Sequence, residues 1–228
     1  MKKVLVVLVV IISILTLTSC KETDAQKFKN EYESLNGKTI NDKKVRNVSI
    51  SKNNPFVYKT EDDIIEMMDN KESFVVYFGF SKCPWCRSVL ETLIEVAKDQ
   101  NLDTIYYVDV YDIRDTLKVG SDGSTKVEKK GTNGYYKILE YMDNVLDDYY
   151  VYQDNEKMYA KEKRIYAPNV VAVVDGKATK MTTGISEKQT DAYMKITKEM
   201  KKETYNKFNC VIKCMQDSKN TCTKEKEC

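Results

Sequence analysis

Apolar and polar positions along this chain alternate in a few well-separated patterns. Val4–Leu17 is an almost unbroken apolar run, interrupted by Ser13 and Thr16 and preceded by Lys2 and Lys3. It is shorter than the ~20 residues a membrane-spanning helix needs and reads as the apolar region of a signal peptide behind a short basic start. Asp24–Leu35 is polar and weakly helical, and Val45–Ile50 reads as a short strand. Thr60 followed by Glu61-Asp62-Asp63 is an N-cap with acids in the first turn, opening a helix to about Met68. Phe74–Phe80, FVVYFGF, is a continuous apolar segment of strand length, the pattern of a central strand buried on both faces. From Cys83 to Lys98, Cys86, Val89, Leu90, Leu93, Ile94 and Ala97 recur at helical spacing. Thr104–Val110 is a second buried strand.

Arg114–Gly134 is polar and glycine-containing and reads as an exposed loop. Tyr135–Tyr149 is helical, with Ile138, Met142, Val145 and Tyr149 on one face. Asn169–Val174 is a strand, Asp175-Gly176 a hairpin turn signal, and Ala178–Thr183 its partner strand. Gly184 ends it, and Ser186-Glu187 opens a long charged helix to about Phe208. The order β-α-β, insert, β-hairpin, helix predicts an α/β fold: a mixed sheet flanked by helices.

Composition narrows the chemistry. The 228 residues contain no histidine, which removes Ser–His and Cys–His nucleophile pairs and imidazole metal ligands. The 37 basic residues, less Lys2 and Lys3 of the leader, equal the 35 acidic ones. That balance argues against nucleic acid as the main partner, because such binding needs a basic excess. Nothing in the composition calls for a cofactor.

Leu17-Thr18-Ser19-Cys20 resembles a bacterial lipobox: an aliphatic residue, two small residues, then cysteine. The resemblance implies that Cys20 becomes the mature N-terminus and carries the lipid (palmitate among its acyl chains), tethering an extracytoplasmic protein to the cell membrane of a bacterium, Gram-positive by expectation. An ordinary signal peptide or an uncleaved anchor is the alternative. Six cysteines remain: Cys83, Cys86, Cys210, Cys214, Cys222 and Cys228. An exported chain sits where disulfides persist, so an even remainder fits.

Cys83-Pro84-Trp85-Cys86 lies between the FVVYFGF strand and the helix that follows. The thiolate is the reactive form of cysteine, and a helix N-terminus presents unpaired N–H groups and partial positive charge. Lys82 and Arg87 add basic side chains nearby. Pro84 suits the first turn. Cys83 is then the exposed attacking sulfur, and Cys86, on the buried stripe, the shielded resolving one. A structural disulfide or half a metal site shares the spacing, though a zinc site needs two further ligands.

Phe74–Val110, with Tyr166-Ala167-Pro168-Asn169-Val170 and the Asp175-Gly176 hairpin, resembles the thioredoxin superfamily. The resemblance implies thiol–disulfide oxidoreductase activity and a cis-proline at Pro168, where Ala167 and Pro168, with Pro84 and Trp85, contact substrate. The alternative for Pro168 is a trans turn proline. The position six residues before the first cysteine, often a buried acid in that family, is Tyr77 here, and the pair encloses Pro84-Trp85 rather than Gly-Pro. Envelope oxidoreductases often carry helical inserts where this chain has one.

The domain map is therefore a leader over 1–19, a tether and N-terminal segment over 20–43, a thioredoxin-like domain over 44–209 with an insert at about 113–164, and a disulfide-stapled tail over 210–228. Tyr135, Tyr136, Tyr141, Tyr149, Tyr150, Tyr152 and Tyr159 in the insert serve packing or a substrate surface. The four tail cysteines allow three connectivities; a nested one, Cys210 with Cys228 and Cys214 with Cys222, suits a helix followed by a returning segment. A second redox relay or a metal site are alternatives for the tail. The function expected is oxidoreduction of exported protein or peptide thiols and disulfides, with a membrane redox partner. The alternatives are a non-catalytic binding lipoprotein and an accessory protein for an exported bacteriocin.

Overall fold

The computed structural model describes residues 22–120, 122–153 and 156–217. The expected leader, Cys20, Cys222 and Cys228 lie outside the described residues. In chain order the elements are α1 (Asp24–Glu33), β1 (Thr39–Ile40), β2 (Lys43–Lys44), β3 (Phe56–Tyr58), α2 (Glu61–Asp69), β4 (Phe74–Gly79), α3 (Pro84–Asp99) and β5 (Ile105–Asp109). There follow β6 (Thr116–Val119), β7 (Thr125–Lys129), α4 (Asn133–Met142), β8 (Asp148–Gln153) and β9 (Glu156–Lys163). The chain then runs through β10 (Asn169–Val174), β11 (Lys177–Thr182) and α5 (Lys198–Gln216).

The central sheet has five strands in the order β11-β10-β4-β5-β3. Strands β3, β5 and β4 are parallel, and β10 is antiparallel to both β4 and β11. All six residues of β4 are buried, as an apolar run with no polar alternation requires: both faces need cover. Helix α3 packs on α5, which lies along β10 and β11, and α2 packs on α4. The β10–β11 turn places Asp175 at φ 48° and Gly176 at φ 74°, the two positive values of a type I′ hairpin. Thr60 and Asp63 close the reciprocal capping box that starts α2.

The N-terminal segment is not a tether from residue 24 onward. Phe28 and Tyr32 on α1 are fully buried, with Phe28 stacked on Phe56 and edge-on to Tyr107. Two aromatics four residues apart on an otherwise charged helix make a stripe too narrow to read as core, yet together they bury a large area. The core strand nearest α1 is β3; Val45–Ile50, expected as a strand, has no regular structure, although Val45, Val48 and Ile50 are buried.

The insert also differs from expectation. Arg114–Gly134 holds the hairpin β6–β7, with only Leu117 and Val119 facing inward. The tyrosine-rich stretch leaves the helix at Met142 and forms the hairpin β8–β9. Leu117, Val119 and Ala160, with Tyr149, Val151 and Met158, form a small core of their own. At its base the Arg164 guanidinium grips Asp115, Nε to both carboxylate oxygens at 3.0–3.1 Å and the second nitrogen at 3.0 Å. The charged stretch from Ser186 stays irregular until Thr197 caps α5, its start held instead by the Glu203 carboxylate, which accepts the Ser186 hydroxyl and the Glu187 N–H. Helix α5 then passes through Cys210 and Cys214, so the boundary drawn at 209/210 falls inside a helix that buries Phe208, Val211, Ile212 and Cys214. Cys210 and Cys214 are each disulfide-bonded.

Gly79 is where β4 leaves no room. A Cβ there would lie 2.5 Å from Cζ and Oη of Tyr77, two residues back on the same face. Gly79→Ala should lower stability by about 1–3 kcal/mol, the range for overpacking a core. Urea unfolding measures it; an unshifted midpoint would show that the Tyr77 ring moves freely.

Candidate functional site

The motif helix begins on the sulfur itself. Cys83 is the N-cap of α3, with extended φ −70° and ψ 117°, and its Sγ accepts the Cys86 N–H at 3.2 Å. Pro84 takes the first turn, where its missing N–H costs no helical bond. On its other side the Cys83 thiol donates to the Ala167 carbonyl at 3.2 Å, and the Ala167–Pro168 peptide is cis. Segments more than eighty residues apart thus meet at one sulfur. Cys83 and Cys86 are both free thiols.

Their protonation is set apart by position. Burial works to raise the Cys83 thiol, but hydrogen bonds from the Cys86 side chain and from the N–H groups of Cys86 and Trp85, with the Arg114 charge, outweigh it, and its pKa lies below the ordinary thiol value. Burial pushes Cys86 well up, and the Cys83 sulfur beside it adds to the rise. Cys83 is not the open thiol its sequence position suggests: it is 3% exposed, Cys86 0%. The Ala167 carbonyl that meets the sulfur also covers it.

Arg87, counted from sequence as charge near Cys83, serves elsewhere. It is buried and donates to the carbonyls of Arg46, Tyr32 and Ser81 and to Asn36 Oδ1 at 2.6–3.1 Å. The cation that acts on Cys83 is Arg114, from the loop after β5, seated over the Phe80 ring at 4.9 Å. Lys82 lies over the exposed Tyr111 ring at 4.9 Å. No sequence signal marked Arg114, since its position follows from how the chain leaves the sheet.

Beside the motif opens a cavity of about 430 Å³, walled by Trp85, Ala167, Tyr150, Tyr166, Lys157 and Glu187 among others. Of the four residues expected at a substrate contact, Trp85 and Ala167 line this cavity and Pro84 and Pro168 do not. Tyr150 and Lys157 come from the β8–β9 hairpin, with the Lys157 ammonium 4.0 Å from the centre of the Tyr150 ring. Tyr166 holds that hairpin in place: its hydroxyl accepts the Tyr150 N–H at 2.9 Å and donates to the Asp148 carbonyl at 3.0 Å. The opposite wall, around Ile185–Gln189, hangs on Glu203. That carboxylate accepts the Ser186 hydroxyl and the Glu187 N–H and pairs with Lys207 at 2.8 Å. The pairing with Lys207, then the Ser186 bond, lower its pKa to about 2. Gln189 donates to Ser88 on α3 at 3.0 Å.

Among the described residues, no three His, Cys, Asp or Glu side chains gather as a metal would require, and no helix is long and apolar enough to cross a membrane.

Iodoacetamide at neutral pH should modify Cys83 before Cys86, with a rate that titrates below the ordinary thiol value of about 8.5. Peptide mass mapping across pH reads this, and faster labelling of Cys86 would contradict the assignment. Glu203→Gln should cost about 1 kcal/mol at neutral pH, discounted because the carboxylate is part-exposed. A depressed folded pKa stabilises above the unfolded value, so the cost should vanish as pH falls from about 4.3 toward about 2. Denaturant unfolding of both proteins across that range measures it; a pH-independent difference would remove the charge from the explanation.

No protein-family model matches the chain, and neither the curated proteins nor the solved structures include one that matches it.

Proposed function

We propose that this protein is a thiol–disulfide oxidoreductase of thioredoxin-like build, tethered outside the cytoplasm of a bacterium through Cys20 and acting on exported proteins or peptides. One observation carries the reading: the Cys83 sulfur caps α3 and faces the Ala167 carbonyl, with its thiolate favoured over that of Cys86. A mixed five-stranded sheet with the motif after its central strand, and the Ala167–Pro168 segment opposite, supports it.

In the reducing direction the Cys83 thiolate attacks one sulfur of a substrate disulfide. A Cys83–substrate S–S bond forms, the substrate S–S bond breaks, and the departing sulfur keeps the electron pair and takes up a proton. Deprotonated Cys86 then attacks Cys83 Sγ. The Cys83–Cys86 bond forms, and the first substrate sulfur leaves with its electron pair and is protonated. The substrate disulfide is reduced and the pair oxidised; the reverse sequence oxidises a substrate dithiol. A membrane redox partner resets the pair in either direction. The cavity beside Trp85 and Ala167 receives the substrate segment that flanks its cysteine, and the insert supplies a wall that a minimal fold of this kind lacks.

A second reading has its own observation. Both sulfurs are almost fully buried, which suits a non-catalytic binding protein whose pair forms a static bridge. The reduction potential of Cys83/Cys86 in the full chain, equilibrated in defined thiol buffers with alkylation readout, separates the two. A value near or above ~−180 mV marks an oxidant or isomerase, and one near ~−270 mV a reductant. A pair still oxidised well below ~−300 mV is the static bridge and ends the enzyme reading.

A further inference from the structure

The cavity beside the motif carries an uneven charge. Three charged side chains line it: Lys157 of β9, Asp147 just before β8, and Glu187 of the Ile185–Gln189 loop. All three residues are exposed. The other polar groups of the loop wall are engaged within the fold, the Ser186 hydroxyl on Glu203 and the Gln189 amide on Ser88. Glu187 gives Glu203 only its N–H, and its carboxylate forms no ion pair among the described residues. Two carboxylates thus stand against one ammonium.

Three rings complete the wall: Trp85, Tyr150 and Tyr166. An aromatic face attracts a cation, and one of these rings already holds one, with the Lys157 ammonium 4.0 Å from the centre of Tyr150. Among the described residues no cation of the chain lies over Trp85 or Tyr166. The Tyr166 hydroxyl is committed to the β8 backbone, so its ring is what remains for a ligand. Cys83 sets the distance to the chemistry. The Ala167 carbonyl is 3.2 Å from its sulfur, and both Ala167 and Trp85 line the cavity. A substrate cysteine joined to Cys83 therefore has its chain neighbour, ~3.8 Å of backbone away, at the cavity mouth.

We infer that this cavity selects segments in which lysine or arginine flanks the cysteine, with Glu187 and Asp147 setting the preference and Lys157 acting as a competitor built into the wall. The inference rests on the oxidoreductase reading for what the bound segment is. A basic side chain lays its apolar stem along Trp85 and Tyr166, and its charge meets both the ring faces and the two carboxylates. An acidic side chain meets two like charges and a single ammonium that is already placed over a ring. Exposed charge pairs are individually weak, so the cavity grades substrates rather than excluding them. Lys157 repels an incoming cation and occupies the Tyr150 ring, so its removal and the removal of Glu187 act with opposite signs. A pocket that binds through apolar area alone gives neither sign.

Trp85 is the single tryptophan of the chain, so its fluorescence reports the cavity directly. The full chain in detergent is titrated with three blocked peptides that carry serine in place of the cysteine, flanked on both sides by lysine, glutamate or leucine. The lysine peptide should bind about fivefold more tightly than the glutamate peptide, the size of one exposed charge pair, and the difference should shrink as salt rises. Glu187→Gln should weaken the lysine peptide about threefold, and Lys157→Gln should tighten it about twofold. Asp147→Asn combined with Glu187→Gln should turn the preference toward glutamate. Equal binding of the lysine and glutamate peptides, tighter binding of the glutamate or leucine peptide, or no fluorescence response to any of the three overturns the proposal, as does an affinity unmoved in both single variants. Cysteine versions of the same peptides, each capped by a small thiol as a disulfide, test the chemistry separately. A lysine preference in the serine peptides without any reduction of the disulfide peptides keeps the cavity assignment and sinks the oxidoreductase reading; reduction of all three at equal rates, with no preference in the serine peptides, does the reverse.

Discussion

The site depends on the burial of one cation. The Arg87 guanidinium is 2% exposed and directs its N–H groups to three backbone carbonyls and the Asn36 side-chain oxygen. A guanidinium stays charged in proteins, and a buried charge with poor hydrogen bonding is strongly destabilising. The carbonyls it needs belong to the end of α1, the loop at Arg46 and the Ser81 turn, so these segments are held where α3 begins. Through Arg87 the N-terminal helix becomes part of the motif's surroundings, and Tyr32 comes to lie behind Tyr77. The same side chain that looks like a local source of positive charge for Cys83 is the clamp that fixes the frame around both sulfurs.

Around that frame the two faces of the motif differ. On one side Phe80, Lys82, Tyr111 and Arg114 form a shelf of rings and cations, and Arg114 favours the Cys83 thiolate from there. On the other lies the cavity between the β8–β9 hairpin and the Glu203-bound loop. The cavity's walls are separate substructures, each with its own anchor: the Asp115–Arg164 pair and Tyr166 for the insert, Glu203 and Gln189 for the loop. The aromatic layer of Phe28, Tyr32, Phe56, Tyr77 and Tyr107 is fully buried, and burial strengthens the few polar contacts made inside it.

What the amino-acid pattern determined alone was local. FVVYFGF has no polar alternation and therefore specifies a strand covered on both faces; the Cys86-to-Ala97 stripe specifies a helix with one buried side. Thr60 with Asp63, and Asp175-Gly176, specify a cap and a turn because their chemistry acts within three residues. Cys83 at a strand-to-helix junction was legible for the same reason, since the N-cap geometry that presents its sulfur belongs to the helix it starts. Only the tertiary structure decided what lies far along the chain. The charged α1 has too few apolar positions to announce itself, and it joins the core because Arg87 and the β3 strand have places for it. The β6–β7 and β8–β9 hairpins carry too little alternation to be told from loop or helix until they pack on each other. Ala167 and Arg114 come to Cys83, Tyr32 to Tyr77, and the cavity wall to Trp85, across segments that no periodicity connects, because the pairing of strands and the burial of a charge, rather than any pattern of neighbours, bring them there.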